Sequence, residues 1–100
     1  MEAYEWDEAK AASNLEKHGI DFEDAIGVFE GAVLEVRSDR GSEKRWKAVG
    51  EIEGVVIAVV FTWREDRRRI ISARKARNNE RRAYRAAQRR GPSEGEDRLG

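Results

Sequence analysis

Lys10, Lys17 and His18 fall within nine residues near the start of the chain, and Arg64, Arg74, Glu80 and Tyr84 punctuate its second half. These residue types cover what metal-free cleavage of RNA requires. The 2′-hydroxyl must lose a proton, cations must stabilise the pentacovalent phosphorus, and the departing 5′-oxygen must gain a proton. Arg and Lys suit the middle role; His, Glu, Lys or Tyr suit the others. Histidine in particular exchanges protons near neutral pH.

Each residue also has a purely structural reading. His18 would sit at a helix C-terminus, where the dipole favours it. Arg74 on a sheet face needs a partner, and a helix acid such as Glu80 would serve while orienting the guanidinium. Glu80 and Tyr84 stand at i and i+4 and could simply seat a helix on the sheet. Trp46 and Trp63 read as sheet-face or core residues, and Trp6 as packing the N-terminus onto the sheet.

The charge pattern sharpens the reading. Residues 64–90 carry eleven Arg and one Lys against three acids, a local net of +9 in a chain of net charge zero. Such segregation costs self-repulsion unless a polyanion or acidic partner uses it. Arginine dominates, and its planar fork suits phosphate. Arg67, Arg68, Arg69, Lys75, Arg77 and Arg81 are therefore candidate RNA contacts. The remaining arginines of the last helix read as a solvated or phosphate-contacting face.

With no cysteine and one histidine among 100 residues, a zinc site is not expected. The acids are scattered along helix faces rather than converging, so no other metal or cofactor is expected either. No apolar run approaches the ~20 residues of a membrane span, and the acidic start lacks the apolar core of a signal peptide. A cytoplasmic protein without membrane partners is the expectation.

The elements that must position these groups are well signalled. Asp7 caps a first helix that Gly19 ends, with Ala11, Ala12, Leu15 and His18 as its packing stripe and Lys10, Asn14 and Lys17 on another. Asp21 caps a second helix whose face is Phe22, Ala25, Ile26 and Phe29, ending at Gly31. The period then changes to two. Strands are expected over Ala32–Arg37, Arg45–Gly50, Val55–Trp63 and Arg69–Lys75, with turns at Arg40-Gly41-Ser42 and Arg64-Glu65-Asp66. In the last strand Ile70, Ser72 and Arg74 share one face, and Ile71, Ala73 and Lys75 the other. Val55–Trp63 is apolar on both faces and should be central. Arg77–Arg90 is a basic helix with Glu80, Ala83, Tyr84 and Ala87 inward. Residues 1–90 read as one α+β domain: an N-terminal helical hairpin on a mostly antiparallel sheet of about four strands, then a basic helix. Residues 91–100 read as a disordered tail.

The run Trp6-Asp7-x-x-Lys10-x-x-x-Asn14-x-x-Lys17-His18-Gly19, followed by Ile71-Ser72-Ala73-Arg74-x-Ala76-x-x-x-Glu80-x-x-x-Tyr84, resembles the BrnT toxin family across roughly residues 4–86. The resemblance implies a RelE-like fold and a type II toxin that cleaves RNA and halts translation. It also implies neutralisation by a BrnA-like ribbon-helix-helix antitoxin, with operator DNA reached only through that partner. It places family motif positions on Lys10, Asn14, Lys17, His18, Arg64, Arg74, Glu80 and Tyr84. One departure is Arg77, where family members often carry a Ser or Thr helix cap; here the cap is expected to pass to Asn78. A metal-independent endoribonuclease is the leading expectation. On it, Arg64 and Arg74 hold the scissile phosphate, and Glu80 orients an Arg or acts as base. A non-catalytic RNA- or DNA-binding module and a gyrase-type poison are the alternatives. An antitoxin segment covering the Arg-rich face should be acidic.

Overall fold

The computed structural model describes residues 3–90; the expected tail at 91–100 lies outside them. The element order is β1 (Ala3–Trp6), α1 (Glu8–His18), α2 (Phe22–Ala25), a 3-10 segment (Ile26–Glu30), β2 (Val33–Arg37), β3 (Trp46–Ile52), β4 (Val55–Arg64), β5 (Arg67–Lys75) and α3 (Asn78–Arg90). The strands form one sheet in the order β1-β5-β4-β3-β2, so β4 is central as its two-sided apolar pattern requires. There are five strands rather than four. The additional one is β1, in the segment that the sequence reads as a short strand or extended start; it runs parallel to β5 while every other pair is antiparallel.

The caps of α1 follow the sequence. Asp7 accepts from the Ala9 and Lys10 backbone N–H groups, and Gly19 takes the left-handed conformation at φ 72° while its N–H returns to the Leu15 carbonyl. Asp21 caps α2 in the same way. The second helix then departs from expectation, because only one α turn forms before the chain tightens into the 3-10 segment. Gly27 and the β-branched Ile26 and Val28 are weak helix formers. The tighter winding turns Val28 inward to full burial against Gly50 of β3, where a Cβ would approach Val28 to 3.0 Å.

The sheet has a core on each face. Phe22, Ala25 and Val28 pack onto Ala48, Ile57, Val59, Phe61, Ile70 and Ala73. On the other face α3 lays Tyr84 against Val49, Val56, Ala58 and Ala76. One irregularity controls which β5 side chains face which core. Val60 pairs with Ser72 but Phe61 pairs with Ile70, so Ile71 is an extra, bulged residue. Ile70 and Ala73 therefore share the α1/α2 face although three apart, while Ser72 and Arg74 turn toward α3. The alternation expected from sequence, with Ile70 beside Arg74, holds only C-terminal to the bulge.

The packing stripe expected on α1 is also corrected. Leu15 is 46 % exposed, Ala12 and His18 are exposed, and the buried residue is Asn14. Its amide donates to the Ala73 carbonyl (2.9 Å) and the Ile20 carbonyl (3.1 Å) and accepts from the Ala73 N–H (3.1 Å). Pairing of β1 with β5 stops at Trp6–Ile70, so beyond that point β5 has no strand on this side. Asn14 supplies the peptide-like donor and acceptor that the bare edge needs.

Candidate functional site

Sheet register gathers the cations on the α3 face. Across β3, β4 and β5 one row reads Lys47, Val60, Ser72 and the next Val49, Ala58, Arg74. The helix covers the second row and beyond, whereas Val60, Thr62 and Ser72 remain partly exposed. Glu80, in the first turn of α3, drops into the step between the two rows.

Glu80 is 5 % exposed, and its carboxylate is fully occupied. Oε1 accepts from Arg74 Nη1 (2.8 Å) and the Arg77 backbone N–H (2.8 Å); Oε2 accepts from Arg74 Nη2 (2.9 Å) and Lys47 Nζ (2.7 Å). The bidentate Arg74 guanidinium is the main reason that Glu80 is held far below the usual carboxylate range. The Arg77 N–H and Lys47 reinforce it, against the opposing pull of burial. Arg74 is pushed up in turn by the same pair. Such a carboxylate is a poor proton acceptor near neutrality, and its hydrogen bonds fix where the Arg74 and Lys47 cations lie. Both retain unused donors and about a fifth of their side-chain surface, 19 % and 21 %. The Arg77 contact is also half of a capping box: α3 begins at Asn78, and Arg77 rather than Asn78 occupies the cap position, its carbonyl accepting from the Arg81 N–H.

A groove of about 240 Å³ runs along the β5 edge, lined by Lys10, Ser13, Asn14, Lys17, His18, Ile71 and Ser72. The structure thus brings the three sequence-predicted residues of α1 together, with the bulge forming the opposite wall. Ser72 belongs to the groove and also to the sheet face of Arg74, two residues or roughly 7 Å further along β5. Groove and cationic face are therefore continuous around the strand edge.

Other candidates lie elsewhere. Arg64 pairs with Arg67 at the far end of β4, six residues from Ala58, the partner of Arg74. That is roughly 20 Å along the strand, so the two arginines do not grip one phosphate. Arg64, Arg67 and Arg69 instead gather around Glu5 of β1 at 4.0, 3.6 and 2.9 Å, and Glu5 is lowered chiefly by its bond to Arg69. Tyr84 is buried, its hydroxyl donating to the Ala32 carbonyl at 3.4 Å, so it anchors α3 rather than facing the cations. Arg68 points inward: its guanidinium lies 4.3 Å from the Phe29 ring centroid and 4.7 Å from that of Trp63, and it reaches Glu35. Its guanidinium is thus engaged by aromatic rings and an acid on the α1/α2 side of the sheet. Lys75, Arg77 and Arg81 are exposed, with Arg81 reaching back to the Ala76 carbonyl and to Asn78.

Lys47 is the residue that the list of sequence candidates lacks. Its signal was present, because alternation with Trp46 and Ala48 sets it on the opposite face of β3; the register that brings it to Glu80 was not. Among the described residues no three His, Asp or Glu side chains converge to hold a metal ion, and no helix is long and apolar enough to cross a membrane.

A sequence model of the family described as the ribonuclease toxin BrnT of type II toxin-antitoxin systems matches residues 6–80. Among solved structures, the 1.1 Å crystal structure of the Brucella abortus ribonuclease toxin BrnT is similar, with a TM-score of 0.59 and 30 % sequence identity. That match covers 78 % of this chain and 100 % of the other. No curated protein matches.

Proposed function

Because the chain belongs to the BrnT family of type II toxins, we propose that it is an endoribonuclease that cleaves RNA without a metal at the junction of the edge groove and the cationic sheet face. The observation that carries this reading is Glu80, three of whose four hydrogen bonds fix Arg74 and Lys47 side by side near the groove. These two cations hold the scissile phosphate and neutralise charge as it develops. Lys10, Lys17 and His18 line the other wall, where His18 or a lysine moves the proton of the 2′-hydroxyl or the departing 5′-oxygen. Arg64, Arg67 and Arg69 bind a phosphate further along the strand, Arg77 and Arg81 flank the centre, and Lys75, beside Ile57 on the other sheet face, is an outlying phosphate contact. Tyr84 acts at one remove by seating α3. Support for metal independence comes from the engagement of Glu80 and Glu5 with cations, which leaves neither as a ready ligand.

Cleavage of cellular RNA would halt translation in the cytoplasm. The partner that restrains it would be a BrnA-like ribbon-helix-helix antitoxin contacting the toxin through an acidic segment and linking it to operator DNA. Incubation of the purified chain with end-labelled RNA in excess EDTA tests the activity. Cleavage should persist, and Arg74→Ala or Lys47→Ala should lower kcat/KM about 100-fold, equivalent to about 2.7 kcal/mol of transition-state stabilisation. RNA left intact at every protein concentration would sink the proposal, and steep salt-dependent binding without products would mark a binding module instead.

A further inference from the structure

The most concentrated charge outside the site lies on α3. Arg77, Arg81, Arg85 and Arg89 recur at four-residue intervals, and all four are exposed. Four residues turn a helix by about 40° beyond a full turn and advance it about 6 Å, so the four make one slowly winding stripe about 18 Å long. It starts at Arg77, whose backbone N–H holds Glu80, and runs away from the cleavage centre. Arg82 stands exposed beside it. The only acid of α3 is Glu80, which is turned inward. Like charges at i and i+4 destabilise a helix, so this arrangement is costly for the isolated chain. What neutralisation exists is slight: Arg85 pairs with Glu51 at 3.0 Å with 48 % and 36 % of the two side chains exposed, a surface pair readily exchanged for a phosphate.

We propose that this stripe is a phosphate track, on which a single RNA strand leaving the cleavage centre lays its backbone. The inference rests on the ribonuclease reading and adds a substrate class to it: RNA long enough to occupy centre and track together. The occupant follows from charge and shape. Arginine forks take phosphates in pairs of hydrogen bonds, and an 18 Å line of them matches a linear polyanion better than a compact anion. Contacts to phosphate carry no sequence information, so binding on the track is indifferent to sequence.

The double variant Arg85→Gln/Arg89→Gln tests this, since glutamine keeps helix propensity and neither residue belongs to the cleavage centre. Binding of labelled single-stranded RNAs of about five and about twenty nucleotides is followed by fluorescence anisotropy across a salt series, alongside cleavage of both. For the long RNA the affinity should fall about tenfold near 0.1 M salt. The slope of log K against log salt should shrink by about 1.4, two phosphates at about 0.7 each. Cleavage of the short RNA should stay within twofold of the parent. Glu51→Gln, which releases Arg85, should tighten long-RNA binding about twofold. An unchanged salt slope, or equal losses on short and long RNA, would overturn the track. So would intact RNA binding with weakened affinity for an acidic peptide, which would assign the stripe to a protein partner. Should the parent chain bind long RNA with the track-dependent slope yet cleave nothing, the ribonuclease reading fails while the track itself stands.

Discussion

Glu80 carries two kinds of work on one carboxylate: it closes the first turn of α3 through the Arg77 N–H and aims Arg74 and Lys47. Both require the ionised form, which gives a sign to its pH dependence. Its folded-state pKa lies below the unfolded value, so on acidification the unfolded chain binds the proton first. The stability it contributes is complete above about pH 5 and is lost as the pH falls through the unfolded pKa of about 4.3 toward the lower folded one. Thermal unfolding between pH 6 and pH 3 should therefore show a declining Tm, with a shallower decline in Glu80→Gln. At pH 7 that variant should lose about 2–4 kcal/mol, because two partly buried cations lose their counter-charge. Activity separates aiming from proton transfer. As an orienter, Glu80 should give a variant with reduced kcat and unmoved limbs of the pH–rate profile; a displaced acid limb would restore it as a base. The pairing of Arg74 with Glu80 was legible in the sequence, because a sheet-face arginine demands an acid and the next helix offers one. Lys47 was not, since nothing local says which β3 residue will lie beneath the first turn of α3.

At the scale of elements, the legible parts were those governed by local chemistry: capped α1, the change from period 3.6 to period 2, the two-sided β4 and the basic α3. The parts missed were set by neighbours distant in sequence. Asn14 reads as a solvent-face residue on a helical wheel, yet it is the buried one, because α1 lies against a strand edge whose unpaired peptide groups need a polar partner. The bulge at Ile71 was hidden for a similar reason: alternation along β5 looks unbroken until β4 supplies the register. These two features together make the groove, Asn14 holding α1 to Ala73 and the bulge shaping the facing wall. Replacing Asn14 with Ala should orphan the Ala73 N–H and C=O in a buried setting. At about 1–3 kcal/mol for each unsatisfied group, a total loss of about 3 kcal/mol is expected. Urea unfolding would register it as a lower midpoint at constant slope, with Ser13→Ala, one residue away and also in the groove, within 0.5 kcal/mol of the parent at about the limit for an ordinary surface change. Equal stabilities for Asn14→Ala and the parent would show that water satisfies the edge just as well.

At the scale of the molecule, the sequence divides into halves of net −5 and +5, and folding turns that division into two surfaces. Glu8, Glu16, Glu23, Asp24 and Glu30 are exposed along α1, α2 and the 3-10 segment; Lys47, Arg64, Arg67, Arg69 and Arg74 share the opposite sheet face, and α3 adds its stripe. A net charge of zero therefore conceals a strong dipole, and long-range attraction depends on which face a partner meets. On the proposed function, an antitoxin segment that covers the cationic face competes with RNA for the same guanidinium groups, and an acidic segment does so on equal terms. Electrostatic steering acts mainly on encounter, so the association rate should fall at least tenfold between about 0.05 M and 0.5 M salt, while dissociation changes little. Stopped-flow mixing of toxin and antitoxin measures both. Charge reversal on the acidic surface, for example Glu16→Lys with Glu23→Lys, should leave the rate within about twofold, whereas Arg67→Glu should slow it clearly. A rate indifferent to salt, or one governed by the acidic surface, would mean that the antitoxin docks elsewhere and inhibits without occupying the cationic face.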